Sequence, residues 1–172
     1  MKKYVVLLRG VNVGGKNIVP MKALCELLET EQYQQVKTYI QSGNIVLAAA
    51  RRPDNKIATL IEKQFGFAVE MMVLSDTEFS SAIKKNPFAT NEGKTVHFYF
   101  CKSSPTLDAM RVQSLAAATE RYALVGDVFY LYAPDGIGRS KLAAKVEACL
   151  GVAVTARNLN SVNKIADMLN AD

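Results

Sequence analysis

The chain has 172 residues, 49% of them hydrophobic, with a formal net charge of +5 and a pI near 9.1. That is enough apolar material for a buried core in one domain or two small ones, and the basic balance favours anionic partners over cationic ones. Three cysteines without a CxxC pair exclude a disulfide framework or a zinc ribbon, and no apolar run approaches the roughly 20 residues of a membrane span. The expectation is a cytoplasmic protein with no membrane partner, no metal and no cofactor.

In chain order, YVVLLRG (4–10) is an unbroken aliphatic run, as in a strand covered on both faces. A glycine loop follows, and Pro20 opens a helix whose Met21, Leu24, Leu27 and Leu28 share a stripe. VKTYIQ (36–41) and NIVLAA (44–49) read as a hairpin turning at Ser42-Gly43. Ile57, Leu60, Ile61 and Phe65 form a second helix closed by Gly66, and FAVEMMVL (67–74) a fourth strand. Ser75 and Glu78 make a capping box for a helix running to about Lys85.

The second half repeats the order. KTVHFYF (94–100) is a strand, residues 107–116 a helix, and 120–125 with 127–132 a hairpin turning at Gly126. Residues 140–150 form a helix ended by Gly151, VAVTA (152–156) a strand, and 159–169 a last helix. The spacing predicts an α+β protein of two tandem ferredoxin-like (βαββαβ) halves, 1–88 and 89–172, each followed by an extra helix and packed as one globule. Asn86-Pro87-Phe88 through Gly93 would be the joint.

A right-handed crossover makes the first two strands of each half parallel, with the third inserted between them. RGVNVGGKN (9–17) then lies beside QSGN, so Arg9, Asn12, Gly14, Gly15, Lys16, Gln41, Ser42 and Asn44 converge. In the second half DGIGRSK and TARNLNS share a sheet end. Gly138, Arg139, Ser140, Lys141, Arg157, Asn158, Asn160 and Lys164 are then neighbours, with backbone amides at glycines and a helix start available to an anion. A purely structural reading of the same residues has the glycines making turns, Asn and Ser capping helices, and the cations solvated.

RGVNVGGKN has the spacing of a P-loop, but Asn17 replaces its Ser/Thr and Asn17-Ile18-Val19-Pro20 delays the helix, which argues against magnesium-nucleotide chemistry. No serine has a plausible base, since the single histidine, His97, is central in a strand, and Asp135 is the only carboxylate in the loop clusters. Any catalysis would use Arg9, Lys16, Arg139, Lys141 and Arg157 to stabilise negative charge. Alternation puts His97 and Tyr99 on one sheet face. With Tyr130, Tyr132 and nearby Arg121 on the same side, that face would be an aromatic platform of the kind RNA-recognition domains use for single strands, or, as the favoured reading because an uncovered patch of that size is unusual, a surface packed against the first half.

The segments LLRGVNVGGKNIVPM, TYIQSGNIV, NPF, DGIGRSKL and TARNLNSVNKI together resemble the bacterial family called domain of unknown function 1697. The family pattern carries Arg-Gly-x-Asn-Val-Gly-Gly, Gln-Ser-Gly-Asn, Gly-x-Gly-Arg-Ser-Lys and Thr-x-Arg-Asn-x-Asn-Thr-Val-x-Lys, and this chain departs only at Ser161, which keeps the hydroxyl. The resemblance implies an α+β fold and one loop signature, and no known activity. The leading expectation is binding of a phosphate-bearing ligand, a nucleotide or nucleic acid. The alternatives are an enzyme acting on a small phosphorylated or carboxylated metabolite, and single-strand binding on the aromatic sheet face.

Overall fold

The computed structural model describes residues 1–171. Its elements are β1 (Lys2–Arg9), α1 (Met21–Thr30), β2 (Gln34–Tyr39), β3 (Asn44–Ala49), α2 (Lys56–Phe65), β4 (Glu70–Ser75) and α3 (Asp76–Lys84). A 3-10 turn (Gly93–Thr95) leads into β5 (Val96–Cys101), α4 (Ala109–Leu115), β6 (Arg121–Val125), β7 (Val128–Tyr132), α5 (Lys141–Ala144), α6 (Val146–Leu150), β8 (Val154–Asn158) and α7 (Leu159–Asn170). The protein is therefore mixed α+β, with two four-stranded sheets ordered β2-β3-β1-β4 and β6-β7-β5-β8 in which every neighbouring pair is antiparallel.

Two compact units result, Met1–Ser81 with Lys164–Asp172, and Ala82–Asn163. They differ from the halves 1–88 and 89–172 in residues 82–88 and in the final segment from Lys164. That segment is tied to β1, where the Lys3 ammonium donates to the backbone oxygens of Leu169 (2.8 Å) and Ala171 (3.2 Å). A cation at the carbonyl end of α7 also complements the helix dipole.

In the first unit, Tyr4, Val6 and Leu8 of β1 join Ile45 and Leu47 of β3 against Leu24 and Leu28 of α1 and Ile57 and Ile61 of α2. Val5 and Leu7, on the opposite face of β1, are also fully buried, which is why the run lacks alternation. Each such aliphatic side chain contributes about 1.5–3 kcal/mol on burial. β2 ends two residues earlier than its pattern suggests, at the turn where Ile40 takes a left-handed φ of 49°, and starts two residues earlier through an irregularity between Gln34 and Lys37 in which Gln35 takes φ 50°. β4 starts late because Gly66 caps α2 at φ 85° and Phe67 and Val69 pack on the core as a connector. The capping box forms, with the Ser75 amide donating to Glu78 Oε2 (2.7 Å) and the Glu78 amide to Ser75 Oγ (3.1 Å). Burial pushes the Glu78 carboxyl up, but the Ser75 bonds and Arg52 outweigh it and hold the group low.

In the second unit, Tyr99, Phe129 and Leu131 pack with Val112, Leu142, Val146 and Leu150 from α4, α5 and α6. The expected single helix over 140–150 is two short ones, broken at Lys145 (φ −124°, ψ 18°). The pairing of β5 with β7 corrects the aromatic platform: Tyr130 stands opposite Phe98 and Tyr132 opposite Val96, so neither shares the His97 face. Tyr130 is fully buried, its hydroxyl donates to the Ala82 oxygen (2.6 Å), and Tyr99 is 5% exposed. Bases stack only on rings that solvent reaches, so the single-strand reading loses its surface.

His97 is buried opposite Leu131, bonds to the Lys94 backbone, and leaves Nε2 without a partner. Burial holds its pKa below the ordinary 6.5, against the smaller upward pull of the Lys94 bond. The unfolded chain then binds the proton more readily, so this contribution to stability is present above pH 6.5 and is lost as pH falls towards the folded pKa. Urea midpoints should therefore drop between pH 7.5 and 5.5, and His97→Phe should flatten that drop; an undiminished drop in the variant would rule out His97 as its source.

Candidate functional site

The loop after β1 is a small hairpin. The Asn12 amide donates to the Asn17 oxygen (3.0 Å) and the Lys16 amide to the Val13 oxygen (3.0 Å), closing a turn over Gly14 (φ 58°) and Gly15 (φ 72°). Two consecutive positive φ values are what a tight two-residue hairpin turn requires. No helix follows directly, so the loop is not a P-loop in geometry either.

Asn12 holds this hairpin to the β2–β3 connection. Its Nδ2 donates to the oxygens of Val19 (3.0 Å) and Gln41 (2.7 Å), while its Oδ1 accepts from the Val19 amide (2.8 Å). Both donor hydrogens and the acceptor are engaged. Asn17 adds a bond from Nδ2 to the Gly10 oxygen (3.1 Å). On the other side Asn44 is buried, and its Nδ2 donates to the Tyr39 oxygen (3.0 Å) and Ser42 Oγ (2.9 Å). The Leu8 amide donates to the Gly43 oxygen (2.8 Å), and a Cβ on Gly43 would come within 2.6 Å of Leu8 Cβ.

The predicted convergence of RGVNVGGKN with QSGN is therefore present, and its polar members divide by role. Asn12 and Asn44 are structural clamps, and Gly14 and Gly15 form the turn. Arg9, Lys16 and Gln41 are exposed, and Ser42 is half-buried. Arg9 stands opposite Glu70 in the β1–β4 register.

In the second unit β7 and β8 both run antiparallel to β5, so the loop containing Gly138, Arg139, Ser140 and Lys141 and the start of α7 leave the sheet at one end. The 3-10 turn lies between them: the Ala133 amide donates to the Thr95 oxygen (2.8 Å), and a Cβ on Gly93 would collide with the Asn160 side chain. Here too the short polar groups cap helices. Ser140 Oγ accepts from the Ala143 amide (3.0 Å), and Asn158 Oδ1 from the Ser161 amide (2.8 Å). Asp135 accepts from the Thr119 hydroxyl (2.7 Å).

Arg139 and Lys141 are exposed and form no ion pair among the described residues. Arg157 and Asn158 project from opposite faces, since Arg157 is registered with Phe98 and Asn158 with His97. Burial lowers the Arg157 guanidinium to about 10, still cationic at neutral pH. Lys164 is exposed on α7 and belongs to the other compact unit. Sequence reading missed the Gly93–Thr95 turn as the tie between the two loops; its signal was a glycine just before a strand, which marks close approach.

Other nucleophilic chemistry is poorly placed. Cys101 and Cys149 are buried, and burial, with Asp127 adding to it, pushes the Cys101 thiol up to about 11. Among the described residues no group of three or more His, Cys, Asp or Glu side chains is arranged to hold a metal ion. No helix among them is long and apolar enough to cross a membrane.

The family model described as protein of unknown function (DUF1697) matches residues 1–130. The chain belongs to this family. The match includes the whole first loop cluster and ends before Gly138. Among solved structures, this DUF1697 chain is similar to the conserved bacterial protein SP0830 from Streptococcus pneumoniae, with 25% identity, a TM-score of 0.69, and coverage of 98% of this chain and 99% of the other. No curated protein matches it.

Close packing at Gly43 and open space at Gly14 give contrasting outcomes. Gly43→Ala should cost about 2–3 kcal/mol through the left-handed φ and the Leu8 clash. Gly14→Asn, with no atom near the added Cβ and a side chain that tolerates left-handed φ, should change stability little. Urea denaturation of both variants checks this, and equal losses would contradict the packing account.

Proposed function

We propose that the second unit binds a phosphate-bearing ligand, a nucleotide or nucleic acid, at the sheet end carrying Arg139 and Lys141. We also infer that each unit is a ferredoxin-like fold, because a βαββαβ order with the third strand between the first two and the fourth beside the first is the arrangement that name denotes. The binding reading is carried by one observation. Both loops at that end border the same Gly93–Thr95 turn, the Ala133 amide bonding to Thr95 and the Asn160 side chain packing on Gly93, and this supports a common site for their cations and backbone amides.

Charge supports the reading. Arg139 and Lys141 sit in a loop whose carboxylate, Asp135, is held by Thr119. A guanidinium recognises two phosphate oxygens at once, and an ammonium adds a point charge. Asn158 and Ser140, spent on helix caps, contribute by rigidity and not by contact. The +5 net charge draws a polyanion towards the surface and makes the affinity depend on salt.

Titration of the full chain with inorganic phosphate, AMP and a short single-stranded oligonucleotide, followed by amide NMR shifts, tests this. Shifts should cluster at residues 136–141 and 157–160, and the double variant Arg139→Ala/Lys141→Ala should weaken binding at least about tenfold. Absence of shifts with all three ligands, or an affinity unchanged in the double variant, would refute the reading.

A further inference from the structure

We propose that the loop end of the first unit docks on a bilayer containing anionic phospholipid. Six large hydrophobic residues are notably exposed among the described residues, and three of them are here: Val13 (65%), Ile18 (54%) and Ile40 (50%). They come from two connections, Val13 and Ile18 from the loop after β1 and Ile40 from the β2–β3 connection, and Asn12 joins the two. Val13 follows Asn12 in the chain, Ile18 precedes the Val19 that Asn12 bonds twice, and Ile40 precedes the Gln41 whose oxygen accepts from Asn12. One amide thus presents three aliphatic side chains at one end of the sheet.

The backbone cost of that presentation is concentrated in these loops. Ile40 holds φ 49°, a conformation that costs a β-branched residue about 1–3 kcal/mol and that Asn or Gly adopts cheaply. Folding alone has no need of an exposed isoleucine at that position.

Charge and side-chain type select the occupant. Residues 10–22 and 32–53 contain no Asp or Glu, while Lys16, Lys22 and Lys37 lie among them, so the partner is anionic. Arg9 is left out of this count because Glu70 stands opposite it. Protein hot spots favour Trp, Tyr and Arg, and single strands are bound by aromatic stacking, whereas the exposed apolar groups here are all aliphatic. Aliphatic tips enter acyl chains without needing a complementary pocket, and lysines reach back to headgroup phosphates. A surface of this kind needs no spanning segment, so it is compatible with helices too short to cross a membrane.

The test is co-sedimentation of the full chain with vesicles of phosphatidylglycerol and phosphatidylcholine in equal parts, compared with pure phosphatidylcholine. Binding should require phosphatidylglycerol and fall at least about fivefold in Val13→Ser/Ile18→Ser/Ile40→Asn. Ile40→Asn alone should keep or raise stability, by relieving the strained φ, while lowering vesicle binding, which separates docking from folding. Arg139→Ala/Lys141→Ala should leave vesicle binding intact, so this proposal and the phosphate site of the second unit fail independently. No binding to the mixed vesicles would overturn the proposal. So would binding that survives the triple substitution, or loss of single-stranded DNA binding in that variant without any vesicle binding.

Discussion

A single side-chain amide organises one end of the first sheet. Asn12 spends both donor hydrogens and its acceptor on backbone groups of Val19 and Gln41, and so joins the loop after β1 to the β2–β3 connection. Each such bond is worth about 0.5–1.5 kcal/mol net. The arrangement depends on them more than that figure suggests, because neither loop has a regular ladder to hold it. Seven backbone positions in these loops take positive φ: Gly10, Asn12, Gly14, Gly15, Asn17, Ile40 and Gly43. Such a conformation persists where neighbouring bonds over-determine it, and the Asn12, Asn17 and Asn44 amides supply those bonds.

The same economy governs the second unit by different means. There a glycine, not an amide, permits the close approach: Gly93 admits the Asn160 side chain, and the Thr95 oxygen receives the Ala133 amide. In both units the short polar residues near the loops are consumed by the backbone. The long cations, Lys16 in one and Arg139 and Lys141 in the other, remain in solvent. The groups left in solvent at either end are therefore long side chains and exposed loop groups, with Asn and Ser as scaffolding.

Much of this was legible in the sequence. The element order and the handedness of crossovers were enough to bring RGVNVGGKN beside QSGN, because that proximity follows from topology and not from side-chain detail. The capping box at Ser75 was legible for the same kind of reason, being a local pattern with a local partner. The assignment of Tyr130 and Tyr132 to the His97 face was not. That face depends on how β7 registers with β5, a non-sequential neighbour, and a shift of one residue exchanges the faces. The roles of Asn12 and Asn44 were also hidden, since an asparagine that clamps a loop and one that binds a ligand look alike until the acceptors are located. The break at Lys145 left no Pro or Gly to announce it.

Amide hydrogen exchange on Asn12→Ala against the parent chain is the most direct test of the clamp on which the first unit's loop end depends. Exchange should accelerate at Val19, whose amide donates to Asn12 Oδ1, and across residues 10–19 and 40–43, while β5 to β8 keep their protection. Unchanged protection at Val19 and in both loops would show that the loops hold their conformation without Asn12, and would contradict the account.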